Sequence, residues 1–464
     1  MKTGTFLNKI LSFPRFVFVL IFVGLTAFNP QGLFASEKEI TFAALGDCVI
    51  SRKISVQNDP GFLKLVELLR RADCTYGNCE TTFYNPGGGF PAWKNYFSPN
   101  HFCPPWGADQ FKWLGIDLVS LANDHIMDFA YNGLYSTMEN LQQAGIGYAG
   151  AGKDLDHAAS PGYVETAAGV VSLVSCSSSV FEINSRASVV HPYMKGRPGL
   201  NAIGVDFSIR VTEALFARLN DLKQDVLAAA GIPVEKTGVE DIETVDYGPE
   251  LRFSKGDETG IVLIPKEKDL DRVYAAIKIA KNNSRIVIAT IHEHRGTDKN
   301  RRPTKFQEDF ARKCIEAGAD MFIGTGPHVL WGLEIYKGKP IFHSLGNFLF
   351  HEIKLISPEA YREANLPAYS PDPMLYAGKF DKFLKSEKIW QSIIPIITFN
   401  SENNLKKIEL YPITLEKNVP LHRRGTPCLA AGKEAAAIME EFKKLSIPYH
   451  TTIVFRDGVG RVVL

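Results

Sequence analysis

The chain has 464 residues, 45% of them hydrophobic and 22% charged, which is a globular composition and excludes a disordered or fibrous chain. Lys plus Arg number 52 against 51 Asp plus Glu, so the formal net charge of +1 lacks the basic surplus of a nucleic-acid binder. Seven cysteines at this length do not make a disulfide scaffold.

Residues 1–36 read as an export signal. Lys2, Lys9 and Arg15 give a positive start without an acidic residue, and the apolar run Phe16–Phe28 follows. Its 13 residues fall short of the roughly 20 that a spanning helix needs. Pro30 and Gly32 break the run, and Ala35 and Ser36 offer small residues for cleavage, but Leu33 stands where a small residue is preferred. Cleavage and an uncleaved anchor in the cytoplasmic membrane therefore both stay open. Without the three basic residues the remainder has 49 cationic against 51 acidic side chains. The protein is expected outside the cytoplasm: periplasmic, extracellular, or anchored on the outer side of the membrane.

After the leader, ITFAALGD (40–47) is an apolar strand running into Gly-Asp. A helix is expected at 61–71, a strand at 74–80 (CTYGNCE), a third strand at 117–121, and a helix at 132–144. Residues 162–176 read as a hairpin. Patterning weakens from about 185 to 265, apart from a charged helix near 212–229, and this stretch reads as an insertion. Alternation resumes with a helix at 268–282, the strand RIVIATIH (285–292), a helix at 304–317 and the strand DMFIGTG (320–326). Strands LEIYKG and KPIFHSLGN follow, then an irregular stretch at 352–388, two strands, and a last helix at 431–444. The main domain is placed at 37–455, with 456–464 as a tail.

The polar residues gather at strand ends. Asp47, Asn78, Glu80, Asn123, His125, His292, His294 and His328 all lie just beyond apolar strands, where open α/β sheets bind ligands. Singly, each has a simpler reading. Asp47 and Asp128 suit helix caps, Asn78 and Asn123 suit turns, and a His pair at i and i+2 is common on a solvated strand end. Together, in chain order, they point to one convergent site of Asp, Glu, Asn and His, the donors that bind Zn, Mn or Fe. His343 and His351 read as peripheral, and Cys48 and Cys79 as buried inert thiols or a disulfide.

The stretches GDCVISR (46–52), YGNCETT (76–82), VSLANDHIMD (119–128), GIGYAGAG (145–152), GRPGLN (196–201), IHEH (291–294) and the long run 316–350 carry a resemblance. With them the chain resembles the CapA-type capsule and poly-γ-glutamate biosynthesis family, whose fold is similar to that of the calcineurin-like metallophosphoesterases. The resemblance implies a layered αββα sandwich of two mixed sheets. It also implies metal ligands at Asp47, at Glu80 as the bridging carboxylate with Asn78 beside it, at Asn123, at His292 or His294, and at His328. His125 would protonate the leaving group, and Arg52 is a clamp for a carboxylate or phosphate. Val49 and Thr325 replace two histidines of the wider pattern. Counting donors this way leaves one divalent ion (Mn, Zn or Fe) or none. The expected partner is an anionic envelope polymer or its assembly machinery. Two functions stay open: a metal-dependent hydrolase of a phosphoester or amide-linked polymer, and a non-catalytic accessory protein that binds the polymer.

Overall fold

The computed structural model describes residues 38–85, 100–179, 185–231, 244–246, 252–257, 259–297, 301–351, 367 and 383–464. The export signal expected at 1–36 and most of the irregular stretch at 352–388 lie outside them. No described helix is long and apolar enough to cross a membrane.

Two mixed sheets stack face to face. The main path of the first runs Ile453–Arg456, Val459–Val462, Leu405–Thr414, Gln391–Phe399, Ile40–Val49, Cys74–Cys79, Leu118–Ser120, Gly147–Ala149. The second runs Leu333–Tyr336, Lys339–Phe342, Met321–Thr325, Ile286–His292, Gly169–Ser177, Gly162–Thr166. Their central strands are parallel, so they are buried on both faces and read as near-continuous apolar runs.

Period-2 alternation divides each strand between two cores. Ile40, Phe42 and Ala44 face the second sheet and meet Ile286, Ile288, Met321 and Ile323 across the interface. Ala43 and Leu45 face outward, onto Phe62, Leu65 and Leu69 of the helix Pro60–Arg70 and Leu134 of the helix Ala130–Gln143. On the far side, Val287, Ala289 and Ile291 pack beneath the helices Glu267–Asn283 and Lys305–Ala317. Helices thus cover both outer faces, giving the layered αββα sandwich expected from the sequence. Asp59 and Thr304 cap the first and last of these helices as acceptors of backbone N–H groups.

The chain's organisation goes beyond its local patterning in two places. The hairpin Gly162–Thr166 and Gly169–Ser177 belongs to the second sheet, because Gly169–Ser177 pairs along its length with Ile286–His292. The second sheet therefore takes strands from both sides of the weakly patterned stretch. The tail at 456–464 is also structural. Ile453–Arg456 and Val459–Val462 form a hairpin on Leu405–Thr414, turning at Asp457 and Gly458, both at positive φ. Asp-Gly is the residue pair such a turn requires. Within the weakly patterned stretch, Gly199–Leu200 pairs with Ala151–Gly152. A separate four-stranded sheet then forms from 205–265 with the helix Glu213–Ala229 on it.

Candidate metal centre

The carboxyl ends of the parallel strands reach one edge of both sheets, and there the interior turns polar. Asp47 is fully buried at the end of Ile40–Val49. Its position depends on a close backbone approach. Asp47 N–H donates to Gly346 O at 2.9 Å, and a Cβ on Gly46 would lie 1.8 Å from that oxygen. Glycine is therefore required at 46. Asp47 Oδ1 accepts from Asn78 Nδ2 at 2.8 Å, and Oδ2 from Gly326 N–H at 3.3 Å.

His328 has φ +57, a left-handed backbone uncommon outside glycine. This aims its ring back at the sheet edge. Asn347 donates Nδ2–H to Ile389 O at 3.0 Å, which leaves its Oδ1 to accept from His328 Nδ1–H at 2.8 Å. The tautomer follows: Nε2 keeps its lone pair, and it stands 3.7 Å from Glu80 Oε1. Burial and the neighbouring His294 lower the His328 pKa, and Asp47 and Asn347 do not fully compensate. A neutral imidazole is what a cation needs.

The second group is tighter. His292 Nε2 lies 3.1 Å from His294 Nε2 and 3.1 Å from Asp124 Oδ1, and His294 Nε2 is 3.4 Å from the same carboxylate oxygen. Ligand atoms about 2.1 Å from one cation lie about 3.0 Å apart on an octahedron and about 3.4 Å apart on a tetrahedron. The donor spacing therefore fits a divalent ion. Glu80 belongs to both groups: Glu80, Asp124, His292 and His294 each bring one donor atom within 4.8 Å of the others, and Asp47, Glu80 and His328 do the same. Burial lowers the His294 pKa, but Asp124, with Asp47 and Glu293 behind it, outweighs this and holds it above the ordinary value. The cluster thus has a negative potential that attracts cations.

Asn123, expected as a ligand, is held in a buried hydrogen-bond network. Its Nδ2 donates to Cys79 O at 2.8 Å and to Asn78 Oδ1 at 3.2 Å, and its Oδ1 accepts from His125 N–H at 3.1 Å. The next residue, Asp124, faces the histidines in its place. Thr325 also has a different role from that of a missing ligand. Its Oγ1 is 3.1 Å from His292 Nδ1, so it orients that ring and keeps Nε2 for the cluster. Val49 packs in the outer core, away from the polar edge. His125 donates Nδ1–H to Asp128 Oδ2 at 2.8 Å, stacks 3.6 Å from the His101 ring, and brings Nε2 to 3.8 Å from Asp124 Oδ2. Arg52 turns elsewhere, donating Nη2–H to Arg424 O at 2.5 Å.

Sequence reasoning did not single out Asp124, His101, Asn347 or the Glu293–Arg295 pair. Glu293 is buried and accepts two bonds from the Arg295 guanidinium, 2.8 and 2.7 Å long, and others from Ser178 and Ser179. Burial raises the Glu293 pKa, but Arg295 and Ser178 outweigh it, so the carboxyl titrates below its ordinary value. The pair fixes the loop that carries His294, whose N–H donates to Ser179 Oγ at 2.7 Å. IHEHR in the sequence held the signal, a carboxylate flanked by the His pair and followed two residues on by an arginine. Cys48 and Cys79 are buried free thiols beside the cluster, and burial raises both thiol pKa values.

Residues 41–352 match the model of the bacterial capsule synthesis protein family PGA_cap. The chain belongs to that family. It is 32% identical over 439 residues to the uncharacterized protein y4sH of Sinorhizobium fredii, with 91% of this chain and 93% of that protein covered. It is 23% identical over 241 residues to the capsule biosynthesis protein CapA of Bacillus anthracis, covering 52% of this chain and 42% of that protein. A shorter match, 41% over 76 residues, links it to the PGA biosynthesis protein CapA of Bacillus subtilis, covering 16% of this chain and 20% of that protein. The chain thus spans less than half the length of these two named relatives.

Proposed function

We propose that this PGA_cap member is an exported, metal-dependent hydrolase that acts on an anionic polymer of the cell envelope during its assembly. The observation carrying the reading is Glu80, a buried carboxylate shared between two partly buried donor groups of carboxylates and imidazoles. The names of the Bacillus relatives support the pathway. The apolar leader at 16–28 supports export, with the protein released or held on the outer side of the cytoplasmic membrane.

Asp124, His292, His294 and Glu80 would hold one cation, and Asp47, His328 and Glu80 a second. A divalent ion bound there polarises the scissile carbonyl or phosphoryl group and makes water nucleophilic near neutral pH. The protein's own groups do the rest. Asp128 holds the His125 tautomer with Nδ1 protonated, so Nε2 exchanges a proton with the leaving group or the attacking water. Thr325 and Asn347 fix His292 and His328. Arg295, clamped by Glu293, keeps the His294 loop from swinging away.

The test is elemental analysis of chain purified without chelator, together with hydrolysis of poly-γ-glutamate and of a generic phosphodiester. Two ions per chain with chelator-sensitive turnover is the expected result. The second reading is a binding accessory that holds the polymer without cutting it. It becomes the better one if metal-loaded protein binds the polymer and cleaves neither substrate.

A further inference from the structure

A cavity of about 380 Å³ opens between the turn at 301–302, the residues before Gln391 and the C-terminal helix Gly432–Ser446. Arg301, Arg302, Lys388 and Lys444 line it over an apolar floor of Leu445 and Pro448. Among the described lining residues one carboxylate, Glu441, faces these four cations. Arg301 Nη2 contacts Glu441 Oε1, and Lys388 Nζ lies 3.5 Å from the same oxygen. One carboxylate oxygen thus serves two cations, and the cavity keeps a positive surplus. Burial and then the Arg301 charge hold the Lys388 amine below its ordinary pKa, as crowding of like charges requires. Arg301 has φ +47, a strained backbone for a non-glycine residue on an open turn.

Two arms of the chain connect the walls of this cavity to residues of the metal centre. Gly296–Thr297, which begins two residues after His294, pairs with Arg302–Pro303 and so carries the arginines. Lys388 precedes Ile389, whose carbonyl holds Asn347, and Asn347 holds His328.

We propose that this cavity is a docking subsite for a polymer bearing one carboxylate per repeat, which it feeds to the metal centre. The inference rests on the polymer-processing reading above and adds the residues that recognise the chain. Glu441 shows that a carboxylate fits between a guanidinium and an ammonium here. Further carboxylates of the chain meet Arg302 and Lys444, while its methylenes lie on Leu445 and Pro448.

The test is binding of a fluorescent poly-γ-glutamate oligomer by the full chain, at low salt and at about 150 mM, where surface charges are screened beyond about 8 Å. Each neutralised cation is expected to cost about threefold, so Arg302→Gln with Lys444→Gln weakens binding about tenfold and flattens the salt dependence. Glu441→Gln tightens binding. Lys406→Gln, which breaks the distant pair with Glu39, removes one positive charge elsewhere on the surface and leaves binding unaltered. Chelator-treated protein is expected to show the same pattern, so loss of the hydrolase reading would not hide this result. Binding by the double variant within about twofold of the parent overturns the subsite. A polyphosphate of equal length that binds as tightly overturns the carboxylate assignment.

Discussion

Asp124→Asn separates the geometric reading of the centre from the one that motif order suggests. The change keeps the shape of the side chain and removes its charge. Asp124 lies 3.1 Å from His292, 3.4 Å from His294 and 3.8 Å from His125, and its side chain is 8% exposed. Burial opposes its charge, yet His125, His294 and His292 overcome this and hold its carboxyl well below the ordinary range. It is thus a charged carboxylate at neutral pH. Partners that merely orient ligands change metal affinity by about 10–100-fold, and a ligand carboxylate belongs at the upper end, about 100-fold or about 2.7 kcal/mol. Asn123→Ala is the matched control. It breaks a buried amide network, so it lowers folding stability by about 1–3 kcal/mol and affects metal less than Asp124→Asn does. Competition of metal-free protein with a fluorescent chelator for Mn or Zn gives the affinities, and urea unfolding gives the stabilities. Affinity of Asp124→Asn within about threefold of the parent, or a larger metal loss in Asn123→Ala, would refute the assignment.

Other outcomes follow from the same contacts. Thr325→Val removes the hydroxyl beside His292 Nδ1 and is expected to weaken metal binding about tenfold, read by the same competition. Asp128→Asn frees the His125 tautomer and is expected to slow hydrolysis by about 100-fold or more while metal content stays at the parent value; parallel loss of metal would show that the dyad is structural. Gly46→Ala places a Cβ 1.8 Å from Gly346 O, so unfolding in urea is expected to show a loss of about 1–3 kcal/mol, with weaker metal binding because Asp47 moves. Burial raises the Glu334 pKa, but His343 and Arg312 outweigh it and hold it below the usual 4.5. Its contribution to stability is therefore present above about pH 4.5 and lost as pH falls through the lower folded value. The stability difference between parent and Glu334→Gln is expected to shrink on acidification, and a difference independent of pH would contradict the pairing.

The layered fold was legible because central parallel strands are apolar on both faces and end abruptly in polar residues. Asp47, Glu80, His292 and His328 each follow such a run, and sheet topology brings them to one edge. The hairpin at 162–177 was legible as a hairpin but not as part of the second sheet. Its partner, Ile286–His292, lies more than a hundred residues away, and no local pattern names a long-range neighbour. The tail was misread although Arg456-Asp457-Gly458-Val459 contains a turn signal. Its strands are short, and Val454 is exposed, so the apolar pattern there is weak.

The site itself was harder to read, because it depends on loop direction. Asn123 and Asp124 are adjacent just after a three-residue strand, and either could face inward. What decides is that the Asn123 amide both donates and accepts within the surrounding backbone, while Asp124 has three imidazoles to neutralise it. A donor count taken from motif positions therefore misleads here. It omits Asp124 and counts Thr325 as a loss. The charge that motif order expects from a further imidazole comes instead from a carboxylate one residue along, and the second nitrogen from His294 at i+2. Thr325 then needs to supply no electron pair to an ion. A hydroxyl bonded to Nδ1 suffices, because holding the His292 ring by that side leaves Nε2, not Nδ1, facing Asp124 and His294. The same logic makes Asn347 a requirement for His328, so replacing either orienting residue should cost metal without removing a single ligand.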